Sequence, residues 1–248
     1  MKTTLLTSST LEPPAARVDA AEGHHHRRAL ASSTMHRMPS TWPIELRDRE
    51  IELRPLRRPD RRAFERLRAD NRAWLAPWDA TDPDPDARRP PFAQMLRWSA
   101  EAGRRGTGLS LVITVDDRLA GQVTAGPILY GAQSNATLGY WIDRRLAGRG
   151  LVPRAVALLI DHCFTELGLH RIEVGIRPEN AASLRVAEKL HLRDEGLRRG
   201  LIHVDGAWRD HRSFALTADE VATDATGRGV LARLRRETEA PDVPRRPL

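Results

Sequence analysis

The sequence predicts an α+β fold built on a mixed, mostly antiparallel sheet of about seven strands, with flanking helices. Two pairs of alternating apolar segments are joined by tight-turn dipeptides, Asp116-Asp117 and Asp205-Gly206, as antiparallel hairpins require. Between the hairpins lies a strand, a Gly-rich turn, a run of helical spacing and a further strand. That crossover is long enough for parallel pairing. No internal repeat interrupts the pattern.

The elements follow in chain order. Ile51 to Leu56 alternates as a first strand. Asp60 stands where it can cap a helix from Arg61 to Asp70, which buries Phe64 and Leu67. Thr81 to Pro91 is a Pro/Asp loop, and a helix follows from Phe92 to Glu101. Leu109 to Val115 and Leu119 to Gly126 form the first hairpin. The fourth strand is Ala136 to Ile142, where Gly139 suggests a bulge or a close backbone approach. In the next helix, Val152 to Leu167, the residues Val152, Ala155, Val156, Leu159, Cys163 and Leu167 share one face. The fifth strand is Leu169 to Arg177, ended by Pro178, which biases Arg177 toward extended geometry. A helix then turns Leu184, Ala187 and Leu190/His191 inward. Leu197 to Val204 and Arg209 to Leu216 form the second hairpin, and Gly229 to Ala240 is a short amphipathic helix.

The turn Arg145-Leu146-Ala147-Gly148-Arg149-Gly150-Leu151 is the most informative stretch. Between strand and helix, such a turn gathers backbone N–H groups at the positive end of the helix dipole and makes an anion site. Gly148 and Gly150 let the backbone approach a phosphate closely. Arg149 and Arg154 can add charge-assisted bonds, and Pro153 suits the first helical position. A phosphate-bearing cofactor is the expected ligand. The P-loop pattern GxxxxGK[ST] and a GxGxxG after the first strand are both absent.

Arg145-x-x-Gly148-x-Gly150 resembles the [QR]xxGx[GA] pyrophosphate loop of the GNAT acetyltransferase superfamily. Asn180-x-x-Ser183, which also reads as a helix N-cap and first-turn polar residue, is similar to the pair found in RimJ/RimL-type ribosomal-protein-alanine N-acetyltransferases. Asn71-Arg72-Ala73-Trp74-Leu75-Ala76-Pro77-Trp78 resembles the segment beside their acceptor cleft, although a Trp pair also suits core packing. The resemblance runs from about Ile44 to Leu216. It implies a GNAT fold in which strands four and five splay apart, and acetyl-CoA as co-substrate with no metal. Arg145, Gly148, Arg149, Gly150, Leu151, Val152 and Arg154 would hold the pyrophosphate. Trp141 and Ile142 would offer strand-edge backbone groups to the pantetheine, with Asn180 on its other side. Trp74 and Trp78 would border the acceptor.

By the same resemblance, an amine attacks the thioester directly, with a backbone N–H such as that of Ile142 at the oxyanion and Ser183 assisting the departing thiolate. For the general base the candidates are His203, on the sixth strand and of a residue type that titrates near neutrality, and Glu173 on the fifth. Either is equally a solvent-facing strand residue. An N-terminal α-amine, with a pKa near 8, needs less help than a lysine. The implied acceptor is the N-terminal amine of a protein, ribosomal for this branch. A small-molecule amine (antibiotic, polyamine or amino acid) is the alternative, and a non-catalytic acyl-CoA-binding or ribosome-associated protein the third. The acyl chain is open in length, and either a monomer or a homodimer is compatible.

Composition narrows the setting. The 248 residues suffice for one domain, over 44–217, with an extension of residues 1–40 and a short helix and polar tail over 218–248. The extension has the composition of a disordered segment, its His24-His25-His26 run reads as solvated, and Met35 or Met38 could serve as initiator. No apolar run approaches the roughly 20 residues of a membrane span, and the start lacks a secretory signal. The expected location is the cytoplasm. Cys163 is the only cysteine, which excludes an internal disulfide, and its helical face marks it as a packed thiol. The net charge of +7 is almost entirely arginine, with Lys2 and Lys189 the only lysines. It permits contact with RNA, acidic proteins or coenzyme phosphates, but no base-stacking pattern accompanies it.

Overall fold

The computed structural model describes residues 42–84, 86–222 and 229–239. The expected extension (1–40) and the last residues of the tail (240–248) lie outside them. One sheet of eight strands forms the body, in the order β1-β2-β3-β4-β5-β6-β8-β7. The strands are β1 (Leu46–Asp48), β2 (Ile51–Pro55), β3 (Leu109–Val115), β4 (Arg118–Leu129), β5 (Asn135–Ile142), β6 (Arg171–Ile176), β7 (Arg193–Val204) and β8 (Ala207–Thr217). The helices are α1 (Arg61–Asp70), α2 (Arg72–Leu75), α3 (Phe92–Arg105), α4 (Leu151–Thr165), α5 (Ala181–Lys189), α6 (Ala218–Ala222) and α7 (Gly229–Glu239). The count exceeds the expected seven because three residues upstream, Leu46–Asp48, add an edge strand to β2. Three residues are too few to show periodicity.

All neighbouring strands are antiparallel except β5 and β6. Those two pair in parallel only at Asn135↔Arg171, Ala136↔Ile172 and Thr137↔Glu173. Beyond them, Leu138–Ile142 of β5 and Val174–Ile176 of β6 part company. The expected splayed pair is therefore present, as β5 and β6. The bulge is not at Gly139, which pairs regularly with Thr124; the register slips on the partner strand, between Ala125 and Ile128. Both hairpin turns put consecutive residues at positive φ, Asp116 (48°) and Asp117 (64°), Asp205 (49°) and Gly206 (74°). That backbone matches the twist of two antiparallel strands.

Alternation sorts the side chains onto two faces. One face carries Ile113, Val123, Leu138, Tyr140, Ile142, Val174, Ile176, Phe214 and Leu216. It packs under α4, whose Val152, Ala155, Val156, Leu159 and Cys163 are wholly buried as the spacing predicts, while Leu167 is only partly covered. Helix α5 contributes Val186 and Ala187 to this core, joined by Leu190 at its C-terminal cap. His191 instead turns outward at positive φ and meets Glu237 of α7. The opposite face holds a smaller cluster of Leu56, Phe64, Leu67, Leu75, Val112 and Trp141, covered by α1 to α3. Helix α7 docks on α4, where the Asp161 carboxylate accepts from the N–H groups of Val230 and Leu231. These are first-turn groups of α7 that lack partners within their own helix.

Two local expectations change. Asp60 does not cap α1. Its carboxylate accepts from the Arg57 N–H (2.7 Å) and clasps the Arg54 guanidinium (2.7 and 3.0 Å), which ties the preceding turn to β2. Helix α3 runs on to Arg105 and ends at Gly106, in the left-handed conformation (φ 69°), because no residue before that glycine breaks it.

Candidate active site

The parting of β5 and β6 leaves one edge of β5, from Leu138 to Ile142, without a strand partner, while its other edge stays paired to β4. Both strands run the same way, so the gap opens at their carboxyl ends. There, too, the Gly-rich turn follows β5 and the start of α5 follows β6. In an α/β sheet, the crevice beyond such carboxyl ends is where ligands bind.

The turn is held open by its own contacts. Asp143 accepts from the Arg145 N–H (3.0 Å) and from its guanidinium (2.6 to 3.2 Å). Burial pushes the Asp143 carboxyl up, but the Arg145 hydrogen bonds outweigh it and hold the group below its usual range. Gly148 and Gly150 both lie at positive φ (85° and 74°), and a Cβ added to either would point into open space. The second caps α4, which places the helix's free N–H groups and positive dipole end beside that space. Leu151 and Val152 anchor the turn through buried side chains and offer only backbone. Arg149 is exposed and makes no hydrogen bond or ion pair among the described residues. An anion would therefore meet backbone donors and Arg149.

Arg154 does not join them. Its guanidinium is spent on Asp48 (2.5 Å to the carboxylate, 2.9 Å to the carbonyl) and Glu50 (2.7 Å), fastening α4 to the β1–β2 hairpin. Asp48 also pairs with Arg235 of α7. Arg145 likewise spends its charge on Asp143. Pro153 stands third in the helix rather than first, still within the turn whose N–H groups lack helical partners.

Across the gap, Asn180 caps α5 with its Oδ1, which accepts from the Ser183 N–H at 3.2 Å. Both residues are buried, Ser183 completely. The capping reading of Asn180 is thus realised. Trp141 points its ring away from the main core, donates from Nε1 to Gln122 (3.2 Å) and lies under the Arg68 guanidinium. Its backbone carbonyl is also turned to β4, beside Gly121, and the Asp143 N–H donates to Ala120 of that strand, so between them it is Ile142 whose backbone groups face the gap.

The Trp74–Trp78 segment packs on the same face as Trp141. Trp74 joins the smaller cluster, and Trp78 lies 5.4 Å from the Arg177 guanidinium. Arg177 also donates to the Pro77 carbonyl (2.7 Å). The segment is thereby pinned to the end of β6, at the mouth of the gap. Asn71 performs a matching task at the other side. Buried, it donates to the Leu67 carbonyl and accepts from the Arg144 N–H (2.9 Å), joining α1 to the Gly-rich turn. Arg177 and Asn71 carry no signal in the sequence that marks these roles, because their partners lie about a hundred and more than seventy residues away.

The two base candidates sit apart from the open part of the gap. Glu173 lies opposite Thr137, the last residue pair before the strands separate, and is bound by Arg171 (2.8 Å). His203 uses Nδ1 on Thr81, with Oγ1 at 2.8 Å and the carbonyl at 3.2 Å, and thus clips the loop after Trp78 to β7. Cys163 is buried and its thiol is pushed up to about 12 by desolvation, as befits an inert packed side chain. The described residues contain no cluster of ligands for a metal ion, and none of their helices is long and apolar enough to cross a membrane.

Comparison with known proteins agrees with this geometry. The GNAT acetyltransferase domain model matches residues 50–193. The solved structure of RimJ from Mycobacterium smegmatis, in complex with CoA-disulfide, superposes with a TM-score of 0.71 and 33% identity, over 79% of this chain and 96% of that one. Among curated relatives, the probable N-acetyltransferase YjcK of Bacillus subtilis is 43% identical over 101 residues, 41% of this chain and 56% of the relative. The ribosomal protein uS5-alanine N-acetyltransferase of Escherichia coli is 25% identical over 154 residues, 61% of this chain and 79% of the relative. The matched stretch spans only about half the length of YjcK and of the uncharacterized N-acetyltransferase p20 of Bacillus licheniformis. The chain belongs to the GNAT acetyltransferase family.

Proposed function

We propose that this protein is an acetyl-CoA-dependent N-acetyltransferase whose acceptor is the N-terminal α-amine of a protein, ribosomal proteins being the natural class. The observation that carries the reading is the half-paired β5–β6 gap, with an open Gly-rich turn at one mouth and a buried Asn/Ser helix start at the other. The residues fit the co-substrate. Gly148 to Val152 and Arg149 would take the pyrophosphate, the free edge at Ile142 would take an amide group of the pantetheine, and Asn180 would close its other side. A coenzyme held there brings its thioester to where the amine must arrive, which lowers the entropic cost of meeting.

In the transfer itself the amine nitrogen bonds to the acetyl carbon and the C–S bond breaks. A backbone N–H at Ile142 would stabilise the developing oxyanion, and Ser183 would assist the thiolate. Support for a peptide acceptor comes from the pinned Trp74–Trp78 segment, which borders the gap with aromatic surface suited to an extended chain, and from RimJ and the uS5-alanine enzyme among the relatives. The test is incubation with acetyl-CoA and peptides beginning in Ala or Ser, beside spermidine and an aminoglycoside, with free thiol as readout. Fastest turnover of a peptide, with the acetyl group on its α-nitrogen, is expected. Turnover confined to the small amines would move the acceptor to that class.

A further inference from the structure

A histidine outside every motif lies on β8, one strand beyond the gap. On β8 the side chains alternate, so Phe214 and Leu216 enter the main core, and His211 and Ser213 face the other way, toward the side of Trp141 and α1. His211 is wholly buried. Its Nδ1 lies 3.0 Å from the Arg209 carbonyl, which can only accept, so Nδ1 carries the hydrogen and neutral Nε2 is left as a bare acceptor. Among the described residues Nε2 has no hydrogen-bond partner. Burying an imidazole with an unused acceptor is costly unless something else uses it.

What the ring faces supplies the use. On β6 a Cβ added at Gly175 would lie 3.8 Å from the Cβ of His211, 3.9 Å from its Cδ2, the carbon bonded to Nε2, and 3.8 Å from Cδ2 of Leu201 on β7. Gly175 belongs to the half of β6 that has left β5. No side chain therefore stands on that strand between the imidazole edge and the gap. The next residue on the same face is Arg177, which holds Pro77 and Trp78, so His211 neighbours the residue that pins the Trp74–Trp78 segment.

We propose that His211 is the general base, its Nε2 taking the proton of the attacking amine; the proposal rests on the acyl-transfer reading above. As the C–N bond forms, one amine proton passes to Nε2. The C–S electron pair goes to sulfur, and the imidazolium's proton is returned through solvent to the thiolate, giving acetylated amine and free thiol. The charged groups around the ring are Arg177 at the end of β6, Glu179 before α5, Asp210 on β8 itself and Arg198, its register partner on β7. Burial, with Arg177 behind it, keeps the imidazole below its ordinary range despite Glu179 and Asp210, so the base form is present at neutral pH.

The test compares wild type with His211→Asn, which keeps a donor for the Arg209 carbonyl but lacks Nε2, and with His211→Gln. Kinetics use whichever of an Ala-peptide, a Ser-peptide or spermidine turns over fastest, so an error in the acceptor class shows as a different preferred amine. The variants should lose about 10²–10⁴-fold in kcat. KM for acetyl-CoA should stay within about twofold, and the rise of rate with pH that lies below about 6.5 should vanish. In ¹⁵N spectra of the wild type at neutral pH, the imidazole of His211 should show a hydrogen on Nδ1 and none on Nε2. A lowered melting point with near-normal kcat and an unchanged pH profile would overturn the proposal, as would a hydrogen on Nε2. A wild type that acetylates none of the amines would overturn it together with the reading beneath it.

Discussion

Replacing Gly150 separates a phosphate site from an ordinary tight turn. In Gly150→Asn the new residue must adopt φ near 74°, a conformation that asparagine tolerates better than other side chains. An added Cβ meets nothing within 4 Å, so no packing is lost. The stability cost should thus stay near 1 kcal/mol, a fall of roughly 2–4 °C in Tm for a domain of this size. If the open space is where the pyrophosphate lies, the same side chain displaces it, and coenzyme A affinity should fall at least about tenfold, or about 1.4 kcal/mol. Gly150→Asp adds a negative charge facing the phosphates. Two like charges about 4 Å apart repel by roughly 1 kcal/mol in water and about 4 at an effective dielectric of 20, so a further loss of about tenfold or more is expected. That extra loss should shrink as salt is raised. Calorimetric titration with coenzyme A at two salt concentrations, beside thermal melts, reads all of these. Normal affinity in a folded Gly150→Asp protein would show that the turn only connects a strand to a helix.

Ser183→Ala should lower kcat by about ten- to a thousandfold with little change in acetyl-CoA affinity, because help to a leaving thiolate acts in the transition state; a lowered Tm at normal rate would mark the hydroxyl as structural. Arg177→Ala removes a charged hydrogen bond to Pro77 and the stack on Trp78, worth about 1.5–3 kcal/mol for the bond alone. It should raise KM for the acceptor about tenfold or more while coenzyme binding, measured by titration, stays normal. Glu195 is held down to about 2 by the Arg171 hydrogen bond, with Arg193 assisting. Its folded pKa is depressed, so its contribution is complete above pH 4.5 and is lost as pH falls toward 2. Glu195→Gln should flatten that part of a stability–pH curve from chemical denaturation, and an unchanged slope would show the pair to be inert.

How much of this was legible in the sequence depended on range. Local signals worked where the cause is local: alternation and Asp116-Asp117 fixed one hairpin, the apolar face of α4 followed its spacing, and two glycines marked the turn after β5. Errors arose where a distant group decides. Asp60 has the right residue type for a cap, yet Arg54, on the preceding strand, takes its carboxylate. Arg154 sits beside the turn in sequence, but Asp48 and Glu50, about a hundred residues earlier, hold it. Gly139 suggests a bulge on β5, whereas the slip lies on β4, since strand register is a property of pairs and cannot be read from one strand. His211 has no motif around it; what distinguishes it is burial, a carbonyl on one nitrogen and a glycine opposite the other edge. Those are facts of assembly rather than of spacing.

The central claim is that coenzyme A occupies the β5–β6 gap, between the Gly-rich turn and the start of α5. Amide hydrogen exchange with and without coenzyme A measures this segment by segment. The account predicts slowed exchange in peptides covering 142–154 and 177–184, with helix α7, packed on the far side of α4, unchanged. Protection confined to other segments, or none at saturating coenzyme, would contradict it.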